Sequence, residues 1–197
     1  METFIIATKN QGKVKEFREL FAKYNIQTVG LEELDKDIPD VEETGATFEE
    51  NAALKAETIS SLLEIPVLAD DSGLEIDALH KAPGVYSARY AGEDKNDQRN
   101  LEKVLEEMSD KENRAARFVC VLALAVPGQE TVLKRGTCEG SILYHSKGEN
   151  GFGYDPVFQP QGYEVSMAQL TAEEKNAISH RADALRQMEE FIQSNRV

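Results

Sequence analysis

The sequence predicts an α/β protein built on a mixed β-sheet. Short apolar runs typical of buried strands alternate with segments whose apolar residues recur every three or four positions, as in amphipathic helices. Two longer runs flank Pro127-Gly128 and predict an antiparallel hairpin. Because helix-connected strands usually pair in parallel and hairpin strands antiparallel, the sheet should contain both directions. We expect one domain, residues 1–197, with two lobes around a cleft.

The elements follow in order along the chain. They are a strand at 4–7, a helix containing Val14, a strand at 27–31, a helix from about Thr47 to Leu63, a strand beginning at Val67, a helix at 97–108, and hairpin strands at 115–126 and 130–143. Thr47-x-x-Glu50 and Thr171-x-x-Glu174 are capping boxes, which mark helix starts. Ser72-Gly73 predicts the end of the third strand.

The C-terminal region predicts two helices rather than one. On a continuous helix, His180 and Arg181 would lie ~140° and ~240° around the axis from Lys175. Those three side chains could not then share a face. Ser179 is a good N-cap candidate, so we expect a break near residues 176–179. The break would place His180 and Arg181 in a first turn, where unpaired N–H groups favour anions.

Composition and charge argue against two classes of partner. The formal net charge is −14 at pH 7, whereas nucleic-acid polymers and anionic membranes favour basic patches. No apolar stretch approaches the ~20 residues needed to span a bilayer. The two cysteines, Cys120 and Cys138, lack metal-site spacing, which predicts buried, reduced side chains. With no basic region before the first apolar run, no signal peptide is expected, and we predict a cytoplasmic protein.

The most informative motif is the adjacent pair Asp70-Asp71. An apolar run, Val67-Leu68-Ala69, leads directly into the two aspartates, which places them where a strand leaves the core. That position is common for α/β active sites. Adjacent carboxylates repel one another unless a cation, a shared proton or solvent relieves them. Their hard oxygen atoms suit Mg²⁺, and a solvated loop is the alternative interpretation.

Three further motifs carry side chains suited to a phosphorylated ligand. Thr8-x-Asn10-x-Gly12-Lys13 follows the first strand, although it lacks the spacing of a P-loop. Asn51 and Lys55 lie four residues apart on one helix face. Gly151-Phe152-Gly153-Tyr154-Asp155 combines flexible glycines with aromatic rings that can stack on a base. A polar turn, a snorkelling lysine and a tight hairpin loop are the structural alternatives.

Together these motifs resemble the inosine-triphosphate pyrophosphatase family, also called the Ham1-like family. The resemblance spans nearly the whole chain. It rests on six motifs in register: Ala7-Thr8-x-Asn10-x-x-Lys13, Glu43-Thr44-Gly45-x-x-Phe48-x-x-Asn51-Ala52-x-x-Lys55, Ala69-Asp70-Asp71-Ser72-Gly73-Leu74, Pro83-Gly84-x-x-Ser87-Ala88-Arg89-Tyr90, Gly151-Phe152-Gly153-Tyr154-Asp155-Pro156 and Lys175-Asn176-x-x-Ser179-His180-Arg181-x-x-Ala184-Leu185.

The resemblance implies an elongated, two-lobed α/β fold with a long mixed sheet, and a homodimer. It implies Mg²⁺-dependent hydrolysis of ITP, dITP and XTP to the monophosphate and pyrophosphate. The implied metal ligands are Glu43 and Asp71, with Asp71 also the proton acceptor. Asp70, adjacent to Asp71, is in reach to orient or deprotonate the attacking water, and we expect it to be a second catalytic residue. The implied triphosphate contacts are Thr8, Lys9, Asn10, Gln11, Gly12, Lys13, Lys55, Ser72 and Lys175. The implied base contacts are Phe152, Gly153, Tyr154, Asp155, His180 and Arg181.

Base selection has a chemical rationale. Hypoxanthine and xanthine carry a 6-keto acceptor and an N1–H donor, and adenine reverses both. Arg181 as donor and Asp155 as acceptor, with the base stacked on Phe152, would leave adenine with unpaired polar groups. Two alternatives stay open: a non-catalytic purine-nucleotide-binding or sensor module, and a divergent nucleotide phosphatase or kinase.

Overall fold

The structure, a computed structural model, describes residues 3–23, 25–34 and 38–195. Its strands are β1 (Thr3–Ile6), β2 (Gln27–Gly30), β3 (Val67–Ile76), β4 (Ala115–Ala125), β5 (Val132–Ile142) and β6 (Phe158–Pro160). Its α-helices are α1 (Gln11–Ala22), α2 (Phe48–Leu63), α3 (Asp97–Glu107), α4 (Ala172–Ile178) and α5 (His180–Asn195).

The six strands form one mixed sheet in the order β2-β1-β3-β4-β5-β6. Strand β1 pairs in parallel with β2 and with β3, where Ile5 lies opposite Val67. Strand β5 pairs antiparallel with β6, a short strand that no sequence pattern predicted. The predicted hairpin is present as β4 and β5, neighbours in the sheet that are joined by a turn in which the Gln129 N–H donates to the Val126 carbonyl. The α/β class and the mixed sheet are thus confirmed.

The prediction that Ser72-Gly73 ends the third strand was wrong. Strand β3 continues through both residues to Ile76. The extended backbone continues because apolar burial resumes at Leu74 and Ile76, which are fully buried. The Leu74 N–H is also satisfied, since it donates to Ser87 Oγ at 2.9 Å. Asp70 and Asp71 therefore lie inside a strand rather than at its end.

The helix boundaries confirm the predicted break in the C-terminal region. Helix α4 ends at Ile178, Ser179 is extended (φ −67°, ψ 155°), and α5 begins at His180. The Thr171–Glu174 capping box is present. At the start of α2 only half of the predicted box forms: Thr47 Oγ1 accepts from the Glu50 N–H, but the Glu50 carboxylate accepts from the Ala46 N–H instead.

The chain divides into two compact units, each with its own core. The first comprises the residues up to Asp71, 120–136 and those from Arg181 onward, and the second comprises 72–119 and 137–180. The first core is formed by buried apolar side chains including Phe17, Phe21, Leu68, Leu122 and Met188. The second core includes Leu74, Val104, Phe118, Phe158 and Met167.

The two cysteines match the expectation from composition. Cys120 and Cys138 are both buried and neither forms a disulfide, as predicted. Burial raises the pKa of the Cys138 thiol to about 11, reinforced by the charges of Glu139 and Asp155. Among the described residues, no helix has the length and apolar character that crossing a membrane requires.

Candidate active site

Strand β3 buries the two adjacent carboxylates of the most informative motif. Asp70 is 1% exposed and Asp71 is 5% exposed. Asp70 Oδ2 accepts from Lys13 Nζ at 2.8 Å. Lys13 lies in the first turn of α1, which Asn10 caps by accepting from the Lys13 backbone N–H at 3.1 Å. The polar turn after β1 thus places Lys13 in contact with Asp70.

A second lysine and a third carboxylate complete the group. Lys55 on α2 donates to Glu43 Oε1 at 2.6 Å. The loop that carries Glu43 is fixed by Asn51, whose Oδ1 accepts from the Gly45 N–H at 2.7 Å. A Cβ at Gly45 would lie 2.6 Å from Glu50 Cβ, so only glycine fits there. We call Lys13, Glu43, Lys55, Asp70 and Asp71 the carboxylate–lysine cluster.

The two aspartates of the carboxylate–lysine cluster have opposite pKa shifts. Burial opposes ionisation of Asp70, but Lys13, Lys55 and Arg181 outweigh it and hold its pKa well below the usual range. For Asp71, burial dominates, and with the charges of Glu43 and Asp70 it raises the pKa to about 6 despite the nearby lysines. Burial also opposes the charged form of Lys55, yet Asp70, Glu43 and Asp71 raise its pKa. Adjacent residues of one strand thus have distinct proton affinities.

The donor set of this cluster fits Mg²⁺. Within the described ranges, no group of three or more His, Cys, Asp or Glu side chains is arranged to hold a metal alone. Mg²⁺ does not need such a group, because one or two carboxylates suffice when water and phosphate oxygens supply the other ligands. With Asp71 ionised, three carboxylates face two lysines. A cation would neutralise that excess, and the carboxylates of Glu43 and Asp71 are the hard ligands it requires.

The other predicted phosphate contacts of the first loop have varied partners. Thr8 Oγ1 accepts from the Asn10 N–H at 3.2 Å, which shapes the turn. Lys9 pairs with Asp40 at 2.7 Å on the surface, and the Gln11 side chain donates to Glu32 at 2.6 Å. Of the loop side chains, the structure brings Lys13 to the carboxylate–lysine cluster. Gly12 lies beside it in α1, and Ser72 follows Asp71 in β3.

A second group of predicted residues surrounds the aromatic loop, which we define as residues 151–155. Asp155 Oδ2 accepts from Lys175 Nζ at 2.6 Å and from the Phe152 N–H at 3.0 Å. Lys175 Nζ also lies 4.8 Å from the centroid of the Phe152 ring. Both members of the ion pair are buried. Lys175, predicted as a triphosphate contact, is thus held at the aromatic loop.

The close packing of this ion pair requires glycine at the start of the loop. Gly151 has φ +72°, a left-handed conformation that favours glycine. A Cβ at this position would lie 2.0 Å from Asp155 Oδ2 and 3.3 Å from Lys175 Nζ. Gly151 therefore leaves the space that the ion pair fills.

The first turn of α5 carries the last two predicted residues. His180 is buried and stacks on Phe118, with ring centroids 4.9 Å apart and an interplanar angle of 18°. Arg181 is also buried, and its Nη1 donates to Glu16 Oε2 on α1 at 2.7 Å. Sequence reasoning missed Glu16. No local sequence pattern identifies Glu16, because its partner Arg181 is 165 residues away in the chain.

Two other residues, whose roles the sequence left open, also have defined contacts. Ser87 belongs to the Pro83–Tyr90 motif, whose role the sequence left open, and its backbone carbonyl accepts from the Tyr154 hydroxyl at 2.6 Å. Asn51 was equally compatible with a structural and a ligand-binding role, and it holds the loop of Glu43.

The comparisons with known proteins agree on one family. The model of the Ham1 family matches residues 4–191. A dITP/XTP pyrophosphatase from Oceanobacillus iheyensis is 57% identical over 194 residues, covering 98% of this chain and 98% of the relative. A dITP/XTP pyrophosphatase from Bacillus anthracis is 54% identical over 196 residues, covering 98% of this chain and 96% of the relative.

Solved structures are similar over the same length. The Ham1 protein of Staphylococcus aureus has a TM-score of 0.88 at 46% identity, covering 98% of this chain and all 100% of that one. A HAM1 protein from Coxiella burnetii has a TM-score of 0.88 at 41% identity, with coverage of 98% and 100%. Because a family model and close relatives both match nearly the whole chain, this protein belongs to the Ham1 family.

Proposed function

We propose that this protein is a Mg²⁺-dependent nucleoside-triphosphate pyrophosphatase. It hydrolyses the non-standard purine nucleotides XTP, ITP and dITP to the monophosphate and pyrophosphate, and so removes them from the nucleotide pool. The carboxylate–lysine cluster carries this proposal, because it combines ligands for a hard cation with cations for phosphate. The names of the relatives, dITP/XTP pyrophosphatases, support the substrate class.

Glu43 and Asp71 are the residues that would hold Mg²⁺. When bound there, the ion offsets phosphate charge and polarises the phosphoryl group under attack. Asp71, one of two adjacent buried carboxylates, is also the residue that we propose accepts a proton from the attacking water. Asp70 remains ionised beside Lys13, and we propose that it orients the attacking water rather than accepting its proton.

Lys13 and Lys55 bind the triphosphate. Each is now paired with a carboxylate, Asp70 and Glu43 respectively. Phosphate oxygens would replace or share those partners, so that the two lysines stabilise the charge that develops on the triphosphate in the transition state. The remaining phosphate contacts that we propose are Thr8, Lys9, Asn10, Gln11, Gly12 and Ser72.

The aromatic loop, His180 and Arg181 select the base. Phe152 provides the stacking surface, and Arg181 donates to the 6-keto oxygen that adenine lacks. Asp155 Oδ2 already accepts two N–H groups, so the role we propose for Asp155 is to hold Phe152 and Lys175 in place. Lys175 is then a base contact rather than a triphosphate contact.

We also propose a homodimer in the cytoplasm, which binds neither nucleic-acid polymers nor membranes. Buried cysteines without a disulfide agree with a reducing compartment. Light scattering coupled to size-exclusion chromatography measures the subunit number directly. A mass of one 21.9 kDa chain would contradict the dimer.

The test of specificity is a comparison of initial rates on XTP, dITP, GTP and ATP with Mg²⁺. We expect XTP and dITP to be hydrolysed at least about a hundredfold faster than ATP, since unpaired polar groups in the base site cost several powers of ten. Equal rates on all four nucleotides would contradict the proposal that the aromatic loop, His180 and Arg181 select the base. Saturable XTP binding without turnover would instead support a purine-nucleotide sensor.

A further inference from the structure

The aromatic loop is anchored from outside by two side-chain hydrogen bonds. The Tyr154 hydroxyl donates to the Ser87 carbonyl at 2.6 Å, and Tyr154 is 7% exposed. The Gly153 N–H donates to Asp97 Oδ2 at 3.1 Å. These contacts fix the middle of the loop, because they hold Gly153 and Tyr154, the two residues that directly follow Phe152.

The Ser87 anchor is itself rigidly held. Ser87 is buried, and its hydroxyl donates to the Gly84 carbonyl at 2.6 Å. The same oxygen accepts from the Leu74 N–H of β3 at 2.9 Å. The Ser87 carbonyl, which accepts the hydrogen bond from the Tyr154 hydroxyl, therefore belongs to a segment that is fixed to the sheet. Tyr154 keeps its proton at neutral pH, because burial, reinforced by Tyr90 and Asp97, raises its pKa.

The Asp97 anchor begins helix α3 and is exposed. Asn96 caps this helix by accepting from the Arg99 N–H at 2.9 Å, so the Asp97 carboxylate is not the N-cap. Its Oδ2 reaches Gly153 instead, 56 residues away. Gly153 adopts φ +61°, a left-handed conformation that favours glycine. The contact gives Asp97 a role in the shape of the loop.

We propose that Ser87, Asp97 and Tyr154 are positioning residues for base selection. They hold the aromatic loop so that Phe152 presents its ring at a fixed place. In this proposal Tyr154, which the family resemblance implied as a base contact, acts through the loop instead, as Ser87 and Asp97 do. The inference rests on the proposed function of the loop in base binding. It assigns a role to Ser87 of the Pro83–Tyr90 motif, which the phosphate chemistry leaves unused.

The contacts inside the loop differ from those that join it to the rest of the protein. Within it, Asp155 ties the Phe152 N–H to Lys175, so the loop's own contacts set its local shape. The two outer anchors set its place relative to β3 and α3. Loss of an anchor should therefore weaken interactions with the base and leave interactions with the phosphates unchanged.

The test compares Tyr154→Phe with Tyr90→Phe. Each variant removes one hydroxyl hydrogen bond, since the Tyr90 hydroxyl donates to Glu107 rather than to the loop or to Ser87. For Tyr154→Phe we expect the KM for XTP to rise roughly five- to tenfold, as for the loss of one buried hydrogen bond, with kcat changed less than about twofold. Inhibition by inorganic triphosphate, which has no base, should stay within about twofold of wild type. Tyr90→Phe should match wild type in all three measurements.

A second pair of variants keeps the test sharp if Tyr154→Phe folds poorly. Asp97 is exposed, so Asp97→Ala should fold, and it should raise the KM for XTP about fivefold. Asp97→Asn keeps an acceptor oxygen and should restore the wild-type KM. Equal KM values for Asp97→Ala and wild type would overturn the proposal, as would weaker inhibition by inorganic triphosphate. A wild-type protein that fails to hydrolyse XTP would instead contradict the proposed function.

Discussion

Lys55 Nζ lies 2.6 Å from Glu43 Oε1, so a predicted phosphate ligand and a predicted metal ligand contact each other in this structure. The lysine and the carboxylate each satisfy the other's charge. In the proposed reaction, Glu43 would hold the cation and Lys55 would bind a phosphate oxygen. The ion pair would then exchange for two new pairs without leaving a charge unpaired in a mostly buried site.

The first prediction concerns Glu43 as a metal ligand. Glu43→Gln should raise the Mg²⁺ concentration for half-maximal XTP hydrolysis by at least about tenfold, because an amide oxygen is a weaker ligand for a hard cation than a carboxylate. A Mg²⁺ titration of the initial rate measures this. Glu42→Gln is the matched control, since it makes the same charge change at the neighbouring position. Equal Mg²⁺ dependence of the two variants would exclude Glu43 as a ligand.

The second prediction concerns stability and Asp71. Its pKa is raised to about 6, so the folded state binds this proton more tightly than the unfolded state does. Stability of the metal-free protein is therefore lost as pH rises from about 4 to about 6. Asp71→Asn should abolish turnover yet raise the free energy of unfolding by about 3 kcal/mol at pH 7, and by much less at pH 4. Urea unfolding in EDTA at both pH values measures the difference.

Asp70 should behave in the opposite way. Its pKa is lowered, so it contributes stability that is present above its unfolded pKa and is lost as pH falls through the folded value. Asp70→Asn should therefore lower the free energy of unfolding at pH 7, by about 3 kcal/mol, because it breaks a buried ion pair with Lys13. Urea unfolding of the metal-free variant and of the wild type at pH 7 measures this change. Changes of the same sign for both asparagine variants would refute the distinct environments of the two aspartates.

The fourth prediction compares two glycines of the aromatic loop. Gly151 and Gly153 both have positive φ, but only at Gly151 would a Cβ meet other atoms, with Asp155 Oδ2 at 2.0 Å. Gly153→Ala should cost about 1 kcal/mol of unfolding free energy, from backbone strain alone. Gly151→Ala should cost about 3 kcal/mol or more, because strain adds to disruption of a buried ion pair. Thermal or urea unfolding measures both, and equal losses would contradict the packing described for Asp155.

Local patterns predicted much of the fold. The two-helix C-terminal region followed from the angular positions of Lys175, His180 and Arg181, and it is confirmed by the extended Ser179. The end of the third strand was predicted wrongly because Ser-Gly is common in turns. The hydrogen bond from the Leu74 N–H to Ser87 Oγ keeps that strand extended, and a contact across 13 positions has no local signal.

The partners of the candidate site residues were harder to predict than the residues themselves. A single sequence cannot pair Arg181 with Glu16 or Gly153 with Asp97, because these contacts join segments 165 and 56 residues apart. Likewise, Lys175 carries a charge suited to phosphate, and only its distance to Asp155 reveals that it is committed to a buried ion pair. Residue type therefore predicts which chemistry is available, and tertiary contacts decide where it is used.

The central claim, hydrolysis between the α- and β-phosphates of a non-standard purine nucleotide, is tested most directly by the products formed from XTP. Purified protein with Mg²⁺ should release one pyrophosphate and one XMP for each XTP consumed. The control is the Asp71→Asn variant, which should release neither. Release of orthophosphate with accumulation of XDP would contradict the account, because it would place the cleavage at the γ-phosphate.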